Sequence, residues 1–270
     1  MFKRSFKYTD VPDPLKIQLE AEAEQFAYKI RTEIGVPLDQ PLDIIEIIEE
    51  KFNVYVLQIK DLKVSGFVRM SGKQKLIFIN ASEPLGRQYY TAAHELCHIL
   101  RDLNKVKEHE KLDENEKKDA INKMEFFANK FADYFISPRE ALAKSVIDTG
   151  ITNFNEIKPK HIFTIQDKFK TSYRQTVRML NKIGVLSDSQ RDDLSSVSNA
   201  NDPDFLINLM KDAGYNPLLS LPLAESRVPD KFINSIKSNI TNNRISTKKI
   251  EYLKGILSID FNSEDGPHNE

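Results

Sequence analysis

Between Thr91 and Leu100 the chain reads TAAHELCHIL, a helical stretch whose Ala92, Ala93, Leu96, Ile99 and Leu100 mark it for burial. The same ten residues carry His94, Glu95 and His98. Ionisable groups on a helix built to be buried cost free energy unless something pairs with them. Any fold this chain adopts must therefore bring a partner to that helix, and this requirement constrains it more than any other feature.

The spacing says what kind of partner. Residues four apart on a helix lie about 40° apart around the axis and one turn along it. The imidazoles of His94 and His98 can then reach a single Zn²⁺ at about 2.0–2.1 Å. Glu95 falls beside that direction, where a carboxylate can take a proton from an attacking water and pass it to a leaving amine. A catalytic zinc also needs a third protein ligand and an open position.

Downstream candidates fall into two groups. Glu108, His109, Glu110, Asp113, Glu114 and Glu116 belong to a run of alternating charge over 105–119 that reads as a solvated connector. Glu125 lies on the next helical stretch, where Met124, Phe127, Ala128, Phe131, Ala132 and Phe135 recur at helical spacing. It stands in line with Ala128 and Ala132, small residues that permit close approach to the histidine helix. Glu125 is the preferred third ligand, with the connector carboxylates next in line, and Asn129 is placed to orient it.

The rest of the chain suggests an α+β fold, mainly helical with a small sheet. Helices are expected over 15–34, ended by Gly35-Val36-Pro37, and over 43–51. A strand follows at 53–59, and 66–70 with 75–80 flank Ser71-Gly72-Lys73 as a hairpin. One helix is expected over 86–101 and a long one running to Phe135 before Pro138. Residues 161–184 read as two helices around Lys170-Thr171-Ser172. From Leu186 to Asp204 the composition turns polar. This divides the chain into a core over 1–190, a linker at 191–204, a helical C-terminal unit at 205–260 and a disordered tail at 261–270. Truncation near Ser195 should then leave a folded core.

Composition narrows the function classes. Among 270 residues, 40% are hydrophobic and 29% charged, and the net charge is -1, so any nucleic-acid contact needs a local patch. Such a patch exists at 158–182, with Lys158, Lys160, Lys168, Lys170, Arg174, Arg178 and Lys182 against Asp167 alone. Direct nucleic-acid binding through it is the weaker reading. No apolar run is long enough to span a bilayer, and Met1–Tyr8 lacks a signal core. The single cysteine, Cys97, fits a reducing cytoplasm.

The two helical motifs together resemble the ImmA/IrrE family of metallopeptidases. That family pairs an HExxH helix with a second helix reading E-x-x-A-N-x-F-A and an apolar stretch ending in proline. Here these are His94–His98, Glu125–Ala132 and DYFISP over 133–138. The resemblance implies a zincin-like core, zinc on His94, His98 and Glu125, and Glu95 as the catalytic glutamate. It also implies a protein substrate, a helix-turn-helix repressor on a separate chain, cleaved to relieve repression of a mobile element, a phage or stress genes. The stretch before Leu15 is too short for a repressor domain of its own. A zinc-stabilised regulator that only sequesters a repressor is the main rival. Cys97 replaces a frequent glycine of the family and reads as a small buried residue, and His161 as a surface residue rather than an oxyanion donor.

Overall fold

The structure is a computed structural model that describes residues 11–103, 112–198, 202, 204–257 and 261. Its described residues form a mainly helical α+β fold of eleven helices and one three-stranded sheet. The first helix, α1 (Asp13–Glu33), begins with Pro14 in its first turn. It ends where Gly35, at φ 75°, turns the chain so that Val36 N–H returns to Arg31 O. Leu19, Ala23, Ala27 and Ile30 form its buried stripe. Asp43 caps α2 (Ile44–Phe52) by accepting from Glu46 N–H at 3.3 Å.

Three strands follow: β1 (Val54–Ile59), β2 (Gly66–Ser71) and β3 (Gln74–Asn80). Their order is β1-β3-β2, with β1 parallel and β2 antiparallel to β3. Gly72, at φ 62°, allows the tight β2–β3 connection. Side chains alternate across the sheet. Val54, Val56, Ile77 and Ile79 join the main core on one face, whereas Leu57, Ile59 and Leu76 join a second cluster on the other.

The main core holds α3 (Leu85–Cys97) and α4 (Glu114–Ile136). Asp113 and Glu116 close a capping box at the start of α4. Residues 114–119, expected in a solvated connector, are thus the first turns of this helix. Its aromatic face meets α1, with Phe26 lying 6.0 Å from Phe127 and 5.5 Å from Phe131 between ring centroids. Helices α5 (Arg139–Asp148), α6 (Pro159–Phe169) and α7 (Tyr173–Lys182) complete this half.

Residues 191–204 were the expected linker, but Asp188–Ser198 forms helix α8, with Leu194 buried in the main core. Its few apolar side chains, Leu194 and Val197, lie on the packed side. The polar residues that suggested a linker occupy the rest of the surface. Met210 of α9 (Phe205–Asp212) is also fully buried there. The chain then runs along the outer edge of β1, where Gln58 and Arg227 exchange backbone hydrogen bonds of 2.9 and 2.8 Å. Leu223 N–H reaches Ala81 O at 3.1 Å, and Leu85 N–H, at the start of α3, reaches Leu221 O at 2.8 Å. Finally α10 (Asp230–Thr241) and α11 (Thr247–Leu257) cover the second sheet face through Ile233, Ile236 and Leu257.

The basic stretch 158–182 is largely turned to intramolecular use. Lys168 pairs with Asp148 at 2.9 Å, Lys170 with Asp43, and Lys182 with Glu20. Arg178 grips Asp133 of α4 with both terminal nitrogens, one bond being 2.7 Å. Asp133 is fully buried, and that fork gives its two oxygens a bidentate partner.

Two outcomes are expected. Arg178→Met should destabilise the fold by about 3–5 kcal/mol, because it strands a buried carboxylate; denaturant titration measures this. Truncation after Ser198 should unfold the chain rather than leave a core. Uncovering Leu57, Ile59 and Leu76 alone loses on the order of 5–9 kcal/mol at ~1.5–3 kcal/mol each, comparable with the whole stability of a domain. A cooperative thermal melt of the truncated chain at the full-length temperature would refute it.

Candidate metal centre

Helix α3 does not continue as one regular helix to Arg101. After Cys97 the chain widens into a single π turn, His98–Asp102, with Leu103 N–H returning to His98 O. His94 therefore sits on the last regular turn and His98 on the first residue of the wide one. Asp102 is brought back beside His98, its Oδ2 lying 2.8 Å from His98 Nδ1.

Helix α4 approaches α3 where both carry alanine. Ala92, Ala93, Ala128 and Ala132 are all fully buried. At the edge of that contact Glu125 meets the histidines: Oε2 is 3.4 Å from His94 Nε2 and Oε1 is 3.5 Å from His98 Nε2. The two Nε2 atoms are 3.0 Å apart, and one donor atom from each of the three residues lies within 4.8 Å of the others.

Whether these residues fit a metal ion is decided by their other bonds. Asn129 Nδ2 donates to Glu125 O at 2.7 Å, which orients the amide so that its Oδ1 faces His94 Nδ1 at 3.2 Å. Tyr90 Oη donates to the same Oδ1 at 3.0 Å. An oxygen in that place accepts, so His94 carries its proton on Nδ1, and His98 does the same toward Asp102. Both Nε2 atoms then present lone pairs to each other and to a carboxylate. Three acceptors pointed together fit a cation. A proton on His98 stands in for that cation: burial lowers the imidazole, but hydrogen bonds to Asp102 and Glu125 outweigh it and raise it to about 10, and a metal ion would displace that proton. Burial raises Glu125, but the two imidazoles outweigh it and bring it to about 2. Two nitrogens and an oxygen converging in this way suit a divalent metal ion.

Glu95 stands beside this group. Only 8% of it is exposed, and burial raises its carboxyl above the ordinary value, partly opposed by the imidazoles. Its stem packs beneath the start of β2. A Cβ on Gly66 would come within 3.4 Å of Glu95 Cγ and within 2.5 Å of Thr91 Cγ2. Only glycine lets the edge strand lie this close to the helix.

The structure brings His94, His98 and Glu125 together and sets Glu95 next to them. Asn129 holds the His94 ring and the Glu125 backbone, not the Glu125 carboxylate as the sequence suggested. Asp113 and Glu116 are committed to capping α4, and Glu114 pairs with Lys117 at 3.2 Å. Glu108, His109 and Glu110 lie outside the described residues. Cys97 is fully buried in the core. His161 Nδ1 accepts from Lys158 N–H at 3.0 Å, closing the first turn of α6. Asp102 and Tyr90 were missed; the four-residue step from His98 to Asp102 was the signal available.

None of the curated proteins compared matches this chain. Among solved structures, a chain described as a Mycobacterium tuberculosis transcriptional regulator aligns with a TM-score of 0.40 and 16% identity. That alignment covers 63% of this chain and 52% of that one, so this chain spans about half of its length. No helix among the described residues is long and apolar enough to cross a membrane. The family described as IrrE N-terminal-like domain (Peptidase_M78) matches residues 44–181, from the first turn of α2 to the end of α7. That range holds the sheet, both helices of the centre and about half of the chain. The chain belongs to the IrrE N-terminal-like, or ImmA/IrrE, family of metallopeptidase-like domains.

Proposed function

We propose that this protein is a zinc-dependent metallo-endopeptidase of the cytoplasm, with His94, His98 and Glu125 as metal ligands and Glu95 as the catalytic glutamate. The observation that carries the reading is the convergence of three acceptor groups beside a buried glutamate that is not one of them. A structural zinc site has no use for such a neighbour. Zn²⁺, when bound, supplies Lewis acidity that makes water nucleophilic near neutral pH. Glu95 takes the proton of the attacking water and delivers it to the leaving amine. Its burial suits both halves of that cycle, since a raised carboxyl exchanges its proton closer to neutrality.

The substrate lies extended along β2. That strand is hydrogen-bonded to β3 on one side, and Gly66 places its first residue against Glu95. Backbone pairing with an edge strand holds a polypeptide without demanding a particular sequence. The family resemblance supplies the substrate class, a helix-turn-helix repressor whose cleavage relieves repression. The engagement of Lys168, Lys170, Arg178 and Lys182 within the chain favours a protein target over DNA.

Glu95→Gln should keep fold, zinc and repressor binding but cut at a rate reduced by about 10²–10⁴-fold, the usual contribution of general acid–base catalysis. The check is a time course of repressor cleavage on gels, with a chelator control. Equal rates for variant and wild type refute the role of Glu95. Binding and derepression without cleavage by either form favour sequestration. Gly66→Ala should leave zinc content unchanged while lowering kcat/KM by about 10–100-fold, because displacing the substrate by an ångström costs that much. Zinc analysis beside peptide kinetics measures both quantities.

A further inference from the structure

We infer that Asp102 is a positioning residue of the metal centre, holding His98 through Nδ1 and thereby setting the affinity of the site for zinc. The inference rests on the proposed metal ligation but adds a residue and a function to it. Asp102 is 2% exposed, and both of its oxygens are engaged. Oδ2 lies 2.8 Å from His98 Nδ1, and Oδ1 lies 3.1 Å from Arg101 Nη1. The Arg101 guanidinium in turn lies over the Phe127 ring, 3.8 Å from its centroid. Phe127 is on α4, two residues beyond Glu125. The chain of contacts thus runs from one candidate ligand, through the π turn, to the helix that carries another.

An ionised carboxylate only accepts. Asp102 therefore requires the proton on Nδ1 and leaves Nε2 as the donor atom turned toward His94 and Glu125. It also makes the ring more basic, which strengthens that donor atom toward a metal. His94 is held differently, by the neutral amide of Asn129. The two imidazoles are consequently unequal ligands, His98 the stronger and the more firmly oriented. The π turn has a use in this arrangement: it ends the regular helix where the carboxylate must swing back beside the ring.

The simpler alternative is that Asp102 only pairs with Arg101 and ends the helix. Zinc competition against a chromophoric chelator, on the full chain, separates the two. Asp102→Asn keeps the side-chain shape and should weaken zinc binding by about 10–100-fold, the usual cost of losing such a partner. Arg101→Met leaves Oδ2 on His98 and should weaken it less than Asp102→Asn does. Equal losses for the two variants, or no loss for Asp102→Asn, overturn the inference. Nitrogen-15 and proton spectra of the zinc-loaded wild type give a second readout that needs no variant. They should show His98 protonated on Nδ1 with a slowly exchanging downfield proton; ligation through Nδ1 refutes the inference. A wild type that binds zinc with these properties but cuts no protein leaves this inference standing and sinks the peptidase reading. A wild type that takes up no zinc sinks both.

Discussion

The close approach of α3 and α4 is the contact on which the rest of the molecule depends. Four alanines on these two helices, Ala92, Ala93, Ala128 and Ala132, are fully buried. Small side chains let helix axes approach toward the lower end of the usual 8–10 Å range. At that separation a glutamate on one helix reaches two histidines on the other. A larger residue at any of these alanines would push the helices apart and separate the donor atoms, whatever it did to overall stability. Packing and chemistry are thus decided by the same few residues.

The frame around this contact is braced by its neighbouring elements. Helix α1, with Leu19, Ala23, Ala27 and Ile30 buried, backs α4, and Phe26 packs at a tilt against its aromatic face. Arg31 of α1 is wholly buried and donates to Phe135 O at 2.7 Å, tying down the end of α4. On the other side the sheet supports α3, and α10 and α11 support the sheet. The extended segment before α10 touches the first residue of α3 as well as the edge of β1. The C-terminal helices are therefore part of the scaffold that holds the metal-centre helix, although they lie far along the chain from it.

Each polar group in the centre is fixed by a second one. Asn129 is fixed by Tyr90 and by the Glu125 carbonyl, and Asp102 by Arg101. Such groups tolerate burial because their partners are preorganised, and the same preorganisation keeps lone pairs aimed at one point.

Much of this was legible in the order of residues. The four-residue histidine step, the alanines of both motifs, Glu125 on an apolar edge and the Gly72 turn are local patterns, and local patterns follow from helix and strand periodicity. The polar run 186–204 misled because composition records average exposure, whereas one leucine facing inward, Leu194, is enough to dock a helix. Which side chain Asn129 would hold depended on how two helices cross, a distance that no single helix encodes. Likewise the engagement of four of the seven basic residues at 158–182 depended on acids at Glu20, Asp43, Asp133 and Asp148, brought near by packing. The sequence by itself determined most of the elements and the identity of the candidate ligands, since these follow from periodicity along one chain segment. The tertiary structure alone decided their orientation, the Asp102 and Gly66 contacts and the place of the C-terminal helices, because each is a distance between segments that only the packed core sets.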